Sequence, residues 1–272
     1  MSSVDIVSNQ NYLSPSRYIS GRIIEYDIRA ANISILRDRN IISEDRYIYL
    51  KNLPKYQREV EIGLMEKEDL SIYTQLQEGI INAKKDLVSF NKIDEDKIIR
   101  VANDAIYLNS EIDLKYTKFG DYIEFAKKSE YSTYCKLDNI IVLLKFLDSG
   151  NINLDIKGLD STGRALEIHK NYMISIIVST IALLERSGIQ SAIDYLSEVC
   201  KKYITRELPV EYYREFNKDS KYSIIELNSF SAFSIDYIAD NSDISYIDIS
   251  YNYSILRELW SILLEIYSIR KR

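Results

Sequence analysis

The chain is short of the residues on which many familiar chemistries depend. It has one histidine, two cysteines, three prolines, eight glycines and one tryptophan in 272 residues. A single histidine, His169, excludes zinc sites built on histidine pairs and argues against Ser-His-Asp or Cys-His catalysis. It falls near an apolar helical stripe with Leu166 and Met173, where a half-buried, hydrogen-bonded histidine is the simplest reading. Cys135 and Cys200 are far apart and lack metal-ligand spacing, so packed free thiols in a reducing compartment are expected. Scarce proline and glycine speak against disorder and against a turn-dense β-sandwich. The longest apolar run, residues 172–184, contains serine and threonine and is too short to cross a bilayer. Residues 1–11 are polar, with no basic start leading into an apolar run, so no secretory signal is read there. A soluble, cytoplasmic protein without a membrane partner is the expectation.

Isoleucine and tyrosine dominate what is present, and there are 23 tyrosines. With abundant asparagine, lysine and aspartate, this is the usage of an AT-rich coding sequence, which associates the chain with a phage, a virus or an AT-rich bacterium. The net charge of −6 counts against a protein that coats nucleic acid over its whole surface, although a local basic groove remains compatible. The length allows one large domain or two modest lobes.

Patterning along the chain predicts an α+β fold. Residues 1–16 read as a flexible arm, and 18–28 as a largely buried strand. Helices follow at 30–40, 43–50 (with Ser43 as N-cap) and 55–65. Leu70, Tyr73, Leu76, Ile80, Ala83, Leu87 and Phe90 recur at steps of three and four, predicting a helix over 69–90. Residues 97–108 read as a hairpin turning near Asn103. Two or three strands are expected in 112–136, a short helix in 137–148 and a strand in 152–159. Beyond it the chain turns mostly helical: 165–186, 190–204, a short helix from Pro209 and a last one over 254–269, with a mixed segment at 223–253 between.

Two aspartates stand out. Asp27 lies at the end of the first strand, and Asp104 lies at the turn of the hairpin. A carboxylate in a β-rich apolar run costs several kcal/mol to bury unless a charge compensates it. Side by side, the two strands would form a two-carboxylate metal site. Placed apart, the residues are ordinary aspartates at a strand end and a turn, and an unrelated α/β interaction module is then the reading.

The runs around these residues resemble the palm motifs of family B DNA polymerases. Asp27-Ile28-Arg29-Ala30-Ala31-Asn32-Ile33-Ser34 matches the family's Asp-x-x-Ser-Leu-Tyr-Pro-Ser. Arg100-Val101-Ala102-Asn103-Asp104-Ala105 matches Tyr-Gly-Asp-Thr-Asp-Ser. Asp155-Ile156-Lys157-Gly158-Leu159 and Arg164 are similar to the Lys-Gly element and basic residue at the entry to the thumb. The likeness covers roughly residues 25–221. It implies a palm-like antiparallel sheet backed by helices over 17–159, a short helical fingers-like insert at about 41–67, and a mainly helical thumb-like lobe over 160–272.

It also implies Mg²⁺ (or Mn²⁺) held by Asp27 and Asp104 with the Ile28 carbonyl, and two-metal transfer from a nucleoside triphosphate to a 3′-hydroxyl. Lys55 and Arg58, one turn apart on the insert with Lys51 and Lys67 nearby, would meet the triphosphate, and Lys157, Arg164, Lys201 and Lys202 a primer–template. A solvated helix face is the alternative for each of these basic groups. Asn32 stands where the family has the tyrosine that excludes a 2′-hydroxyl, which makes ribonucleotide use or primer synthesis conceivable. Ala102 replaces one aspartate of the second motif, and the fingers motif Lys-x-x-x-Asn-Ser-x-Tyr-Gly has no counterpart. These departures leave room for a protein partner that supplies missing surface. They also leave room for a catalytically inactive subunit of a phage or viral replication or transcription assembly.

Overall fold

The computed structural model describes residues 2–111, 113–137, 140–157, 164–208 and 246–270, with the side chains of 164–174, 246–254 and 270 excepted. The expected short helix from Pro209, most of the 223–253 segment, and the side chains of His169 and Arg164 lie outside these residues. The elements are α1 (Ser3–Ser8), β1 (Tyr18–Ile28), α2 (Ala31–Asp38), α3 (Glu44–Asn52), α4 (Lys55–Glu68), α5 (Ser71–Phe90), β2 (Ile98–Ala102) and β3 (Ala105–Asn109). They continue with β4 (Lys118–Phe119), β5 (Ile123–Leu137), β6 (Ile140–Phe146), β7 (Ile152–Lys157), α6 (Arg164–Arg186), α7 (Ile189–Ile204) and α8 (Tyr246–Arg270). The fold is α+β, with a seven-stranded antiparallel sheet in the order β2-β3-β1-β5-β6-β7 and β4 paired to β5. No helix among the described residues is long and apolar enough to cross a membrane.

Two compact units divide the chain: residues 1–15 with 21–131, and residues 16–20 with 132–272. In the first, alternate residues of β1 (Ile24, Tyr26 and Ile28) pack against α2 and α5 through Ile33, Leu36, Leu76, Ile80 and Leu87. Period two in the strand and period 3.6 in the helices make this core. Gly79 lets α2 and α5 approach, since a Cβ there would lie 2.2 Å from Ile35 Cγ2. Ser43 caps α3 by accepting from the Arg46 N–H, as expected, and α3 and α4 fill the expected helical insert.

Residues 1–16 differ from the expected flexible arm. A capping box between Ser2 and Asp5 starts α1, and Ile6 and Val7 are buried in the core. Farther on, Ser14 N–H donates to the Ile99 carbonyl and Val101 N–H to that of Tyr12, which fixes the segment beside β2.

In the second unit Cys135, Leu137, Ile140, Val142 and Leu144 share a core with Ile176, Ile181, Leu196, Val199, Leu256, Leu259 and Leu263. Beside residues 16–20, this unit takes in the chain from Ser132 onward, ahead of the expected boundary at 160, because β6 and β7 share a core with the helices that follow them. The expected helix at 137–148 is the strand β6, hydrogen-bonded to β5 on one side and β7 on the other. Ile140 to Leu144 are all buried, and a continuous apolar run carries no period to separate a central strand from a helix. The strands expected in 112–136 reduce to the two-residue β4 and the fifteen-residue β5.

Candidate functional site

The first strand delivers Asp27 one residue before its end. There it stands in register with Ala105 of β3, next to the hairpin turn. Asn103 takes the left-handed conformation (φ 35°) that a two-residue turn between antiparallel strands requires, and Asp104 follows it. Ile28 N–H donates to the Asp104 carbonyl at 3.1 Å, tying the turn to the strand. From below, the Lys84 ammonium of α5 donates to the Asn103 carbonyl at 2.6 Å. Lys84 is completely buried. Burial lowers its pKa to about 8, against the opposing pull of the Asp104 charge.

The two carboxyls are close enough to interact electrostatically: the Asp104 pKa is raised, first by burial and then by the Asp27 charge. Asp27 Oδ2 accepts from the Lys128 ammonium at 2.8 Å, and the same ammonium is 3.2 Å from Glu25 Oε1. Asp27 Oδ1 is buried and receives no donor. Two carboxylates bring acceptors and no proton donor, so their close approach is favourable only around a shared proton or a cation. That orphaned oxygen fits a metal ion. Among the described residues no three His, Cys, Asp or Glu side chains converge to hold one. An ion here would rest on two carboxylates and take its remaining oxygens from main chain, water or ligand, as Mg²⁺ commonly does.

A cavity of about 650 Å³ opens over the pair. Asp27, Ile28, Asn32, Lys55, Arg58 and Asp104 all line it. The sequence reading therefore brought together residues from β1, α2, α4 and the β2–β3 turn. Lys51 and Lys67 do not line the cavity. Lys157, Lys201 and Lys202 belong to the other unit. There Lys157 pairs with Asp155 at 2.7 Å, Lys202 lies 3.8 Å from Glu198 and Lys201 is exposed.

Other lining residues were missed. Tyr73, Gln77 and Ile80 present one face of α5 to the cavity, at steps of four and three. Tyr73 falls on the apolar stripe of the sequence, yet it is 57% exposed, and Ile72 is buried in its place. Glu59 also lines the cavity and accepts from the Asn32 side-chain amide at 3.0 Å, joining α4 to the start of α2. Ala30, Ala31 and Asn32 bring the α2 N-terminus to the cavity wall, with no side chain capping its N–H groups. Ala30 is held at φ 47°, ψ 47°, a left-handed conformation that costs a non-glycine residue roughly 1 kcal/mol.

Fold and site together define an α+β protein with a paired-carboxylate cleft flanked by basic side chains. Residues 3–265 match the family model described as bacteriophage PBS1 gene 130 protein. The chain belongs to this phage protein family. A search of curated proteins finds no match.

Proposed function

We propose that the protein is a template-dependent nucleotidyltransferase of minimal family B polymerase type, transferring a nucleotide from a nucleoside triphosphate to a 3′-hydroxyl. One observation carries this reading: two carboxylates, two basic side chains and Asn32, picked from separate motifs, line a single cavity. Asp27 and Asp104 would hold Mg²⁺ or Mn²⁺ through carboxylate oxygens, with the Ile28 carbonyl beside them. When bound, the ion polarises the attacking hydroxyl and neutralises charge on the departing pyrophosphate.

The chain's own residues do the rest. Lys55 meets the triphosphate as a point charge and Arg58 as a planar fork. The uncapped N–H groups at the start of α2 favour an anion at the same wall. Lys84 holds the hairpin turn and with it the position of Asp104. Asn32, tethered by Glu59, occupies less volume than the family's tyrosine and leaves space beside the sugar. In the second unit Lys157, Arg164, Lys201 and Lys202 are the candidates for contact with a primer–template backbone.

Primer extension with Mg²⁺ or Mn²⁺ and dNTPs or NTPs tests the proposal. Incorporation by the wild-type chain should fall at least about a hundredfold in Asp27→Asn and in Asp104→Asn, the scale of losing a metal-held charge. Equal incorporation by all three would refute it.

A second reading is an inactive polymerase-like subunit of a phage replication or transcription assembly. Ala102 at a family aspartate position and the Lys128 ammonium on Asp27 favour it. Under that reading the chain binds a protein partner tightly, incorporates nothing with or without it, and retains no nucleotide in the presence of Mg²⁺.

A further inference from the structure

We propose that Lys128 is the resident counter-ion of the carboxylate pair, and that it weakens divalent-cation binding by the pair on its own. The inference rests on the metal-site reading above and concerns how that site is regulated. Lys128 Nζ is 2.8 Å from Asp27 Oδ2 and 3.2 Å from Glu25 Oε1. Glu25 fixes it from the inside. Its side chain is 2% exposed, and it accepts from the Tyr131 hydroxyl at 3.2 Å. Across the strands Glu25 stands opposite Tyr107. The Lys128 side chain is 52% exposed, and its ammonium is held beside Asp27 by two carboxylate partners, one of them the buried Glu25.

Two consequences follow for an entering cation. It must bind Asp27 against a fixed positive charge a few ångströms away, and one of the two Asp27 oxygens is already engaged. The pair alone also offers few oxygens, because no third carboxylate among the described residues converges on the site. The cation then depends on oxygens and negative charge brought by its companion ligand, and a triphosphate seated by Lys55 and Arg58 would supply both. In this way Lys128 couples occupancy by the metal to arrival of the anion.

A competing role is orientation, in which Lys128 holds Asp27 Oδ2 so that Oδ1 is presented to the ion. The two roles predict opposite signs when the lysine is removed. The experiment is titration calorimetry of MnCl₂ into the full chain, without nucleotide, for wild type, Lys128→Met, and Lys128→Met/Glu25→Gln. The double variant removes the buried Glu25 charge together with its lysine partner and keeps the comparison open should the single variant fold poorly. Removing the ammonium should tighten Mn²⁺ binding at least about tenfold in Lys128→Met, and by a smaller factor in the double variant, which also loses the Glu25 charge. Asp27→Asn should abolish the binding. Unchanged or weaker binding in folded Lys128 variants, with wild type still binding, would overturn the counter-ion proposal alone. No binding by any variant at millimolar MnCl₂ would overturn the metal-site reading with it.

Discussion

At the scale of single residues, buried polar groups separate those that tune the site from those that stabilise the fold. Lys84, Glu25 and Asp27 Oδ1 would each be costly in an apolar core, and each is placed at or beside the carboxylate pair. Other groups are away from it. Burial pushes the Cys135 thiol up to about 12. Cys200 is also raised by burial, in part offset by the Trp260 indole N–H that donates to its Sγ at 3.1 Å. Disulfide-exchange reagents at neutral pH should label neither quickly in the native chain, and Cys200 before Cys135. Faster labelling of Cys135 would contradict its packing.

Glu130 bonds Lys127 and Arg22, which hold its carboxyl down at about 2, well below its ordinary 4.5. A depressed carboxyl contributes stability that is complete above the unfolded value and lost as pH falls through the folded one. Acid should therefore lower the urea midpoint between pH 4.5 and about 2. Glu130→Gln should flatten part of that fall, in proportion to a partly solvent-screened group. A slope identical to wild type would remove Glu130 from the account.

Elements show why some of the fold was legible in the sequence. The α5 helix, the Ser43 cap and the hairpin turning near Asn103 each carry a period or a terminal signal, and all three formed. Of the α5 stripe, Leu76, Ile80, Ala83 and Leu87 are buried, while Leu70, Tyr73 and Phe90 are exposed. β6 did not read correctly, because Ile140 to Leu144 is apolar at every position and its buried surroundings are set by strands distant in sequence. α1 was overlooked because six residues carry too little periodicity, although its Ser2–Asp5 capping box was written in the chain. In the site, Asp27, Asn32 and Asp104 were legible through motif order. Tyr73 and Glu59 were not, since their roles come from which helix faces the cavity.

Two glycines give a paired test at this scale. Gly79→Ala places a methyl 2.2 Å from Ile35 and should destabilise the chain by about 1–3 kcal/mol. Gly63→Ala in α4 meets nothing within 4 Å and should stabilise it by up to about 1 kcal/mol. Chemical denaturation reads both, and shifts of the same sign would contradict the close α2–α5 packing.

For the molecule as a whole, the acidic balance and the two separately cored units set the limits of the functional reading. Under the proposed function, a net charge of −6 leaves any primer–template binding to local basic clusters, so it should be modest and fall with salt on a slope set by those few contacts. The candidate chemistry lies within the first unit, where the carboxylate pair, the basic residues of α4 and the cavity all occur. The most direct measurement is anomalous diffraction from crystals soaked with MnCl₂ and a non-hydrolysable nucleoside triphosphate. The expected result is a manganese peak shared by Asp27 and Asp104, about 2 Å from an oxygen of each. A nucleotide bound with no peak between the two carboxylates would contradict the two-carboxylate metal site.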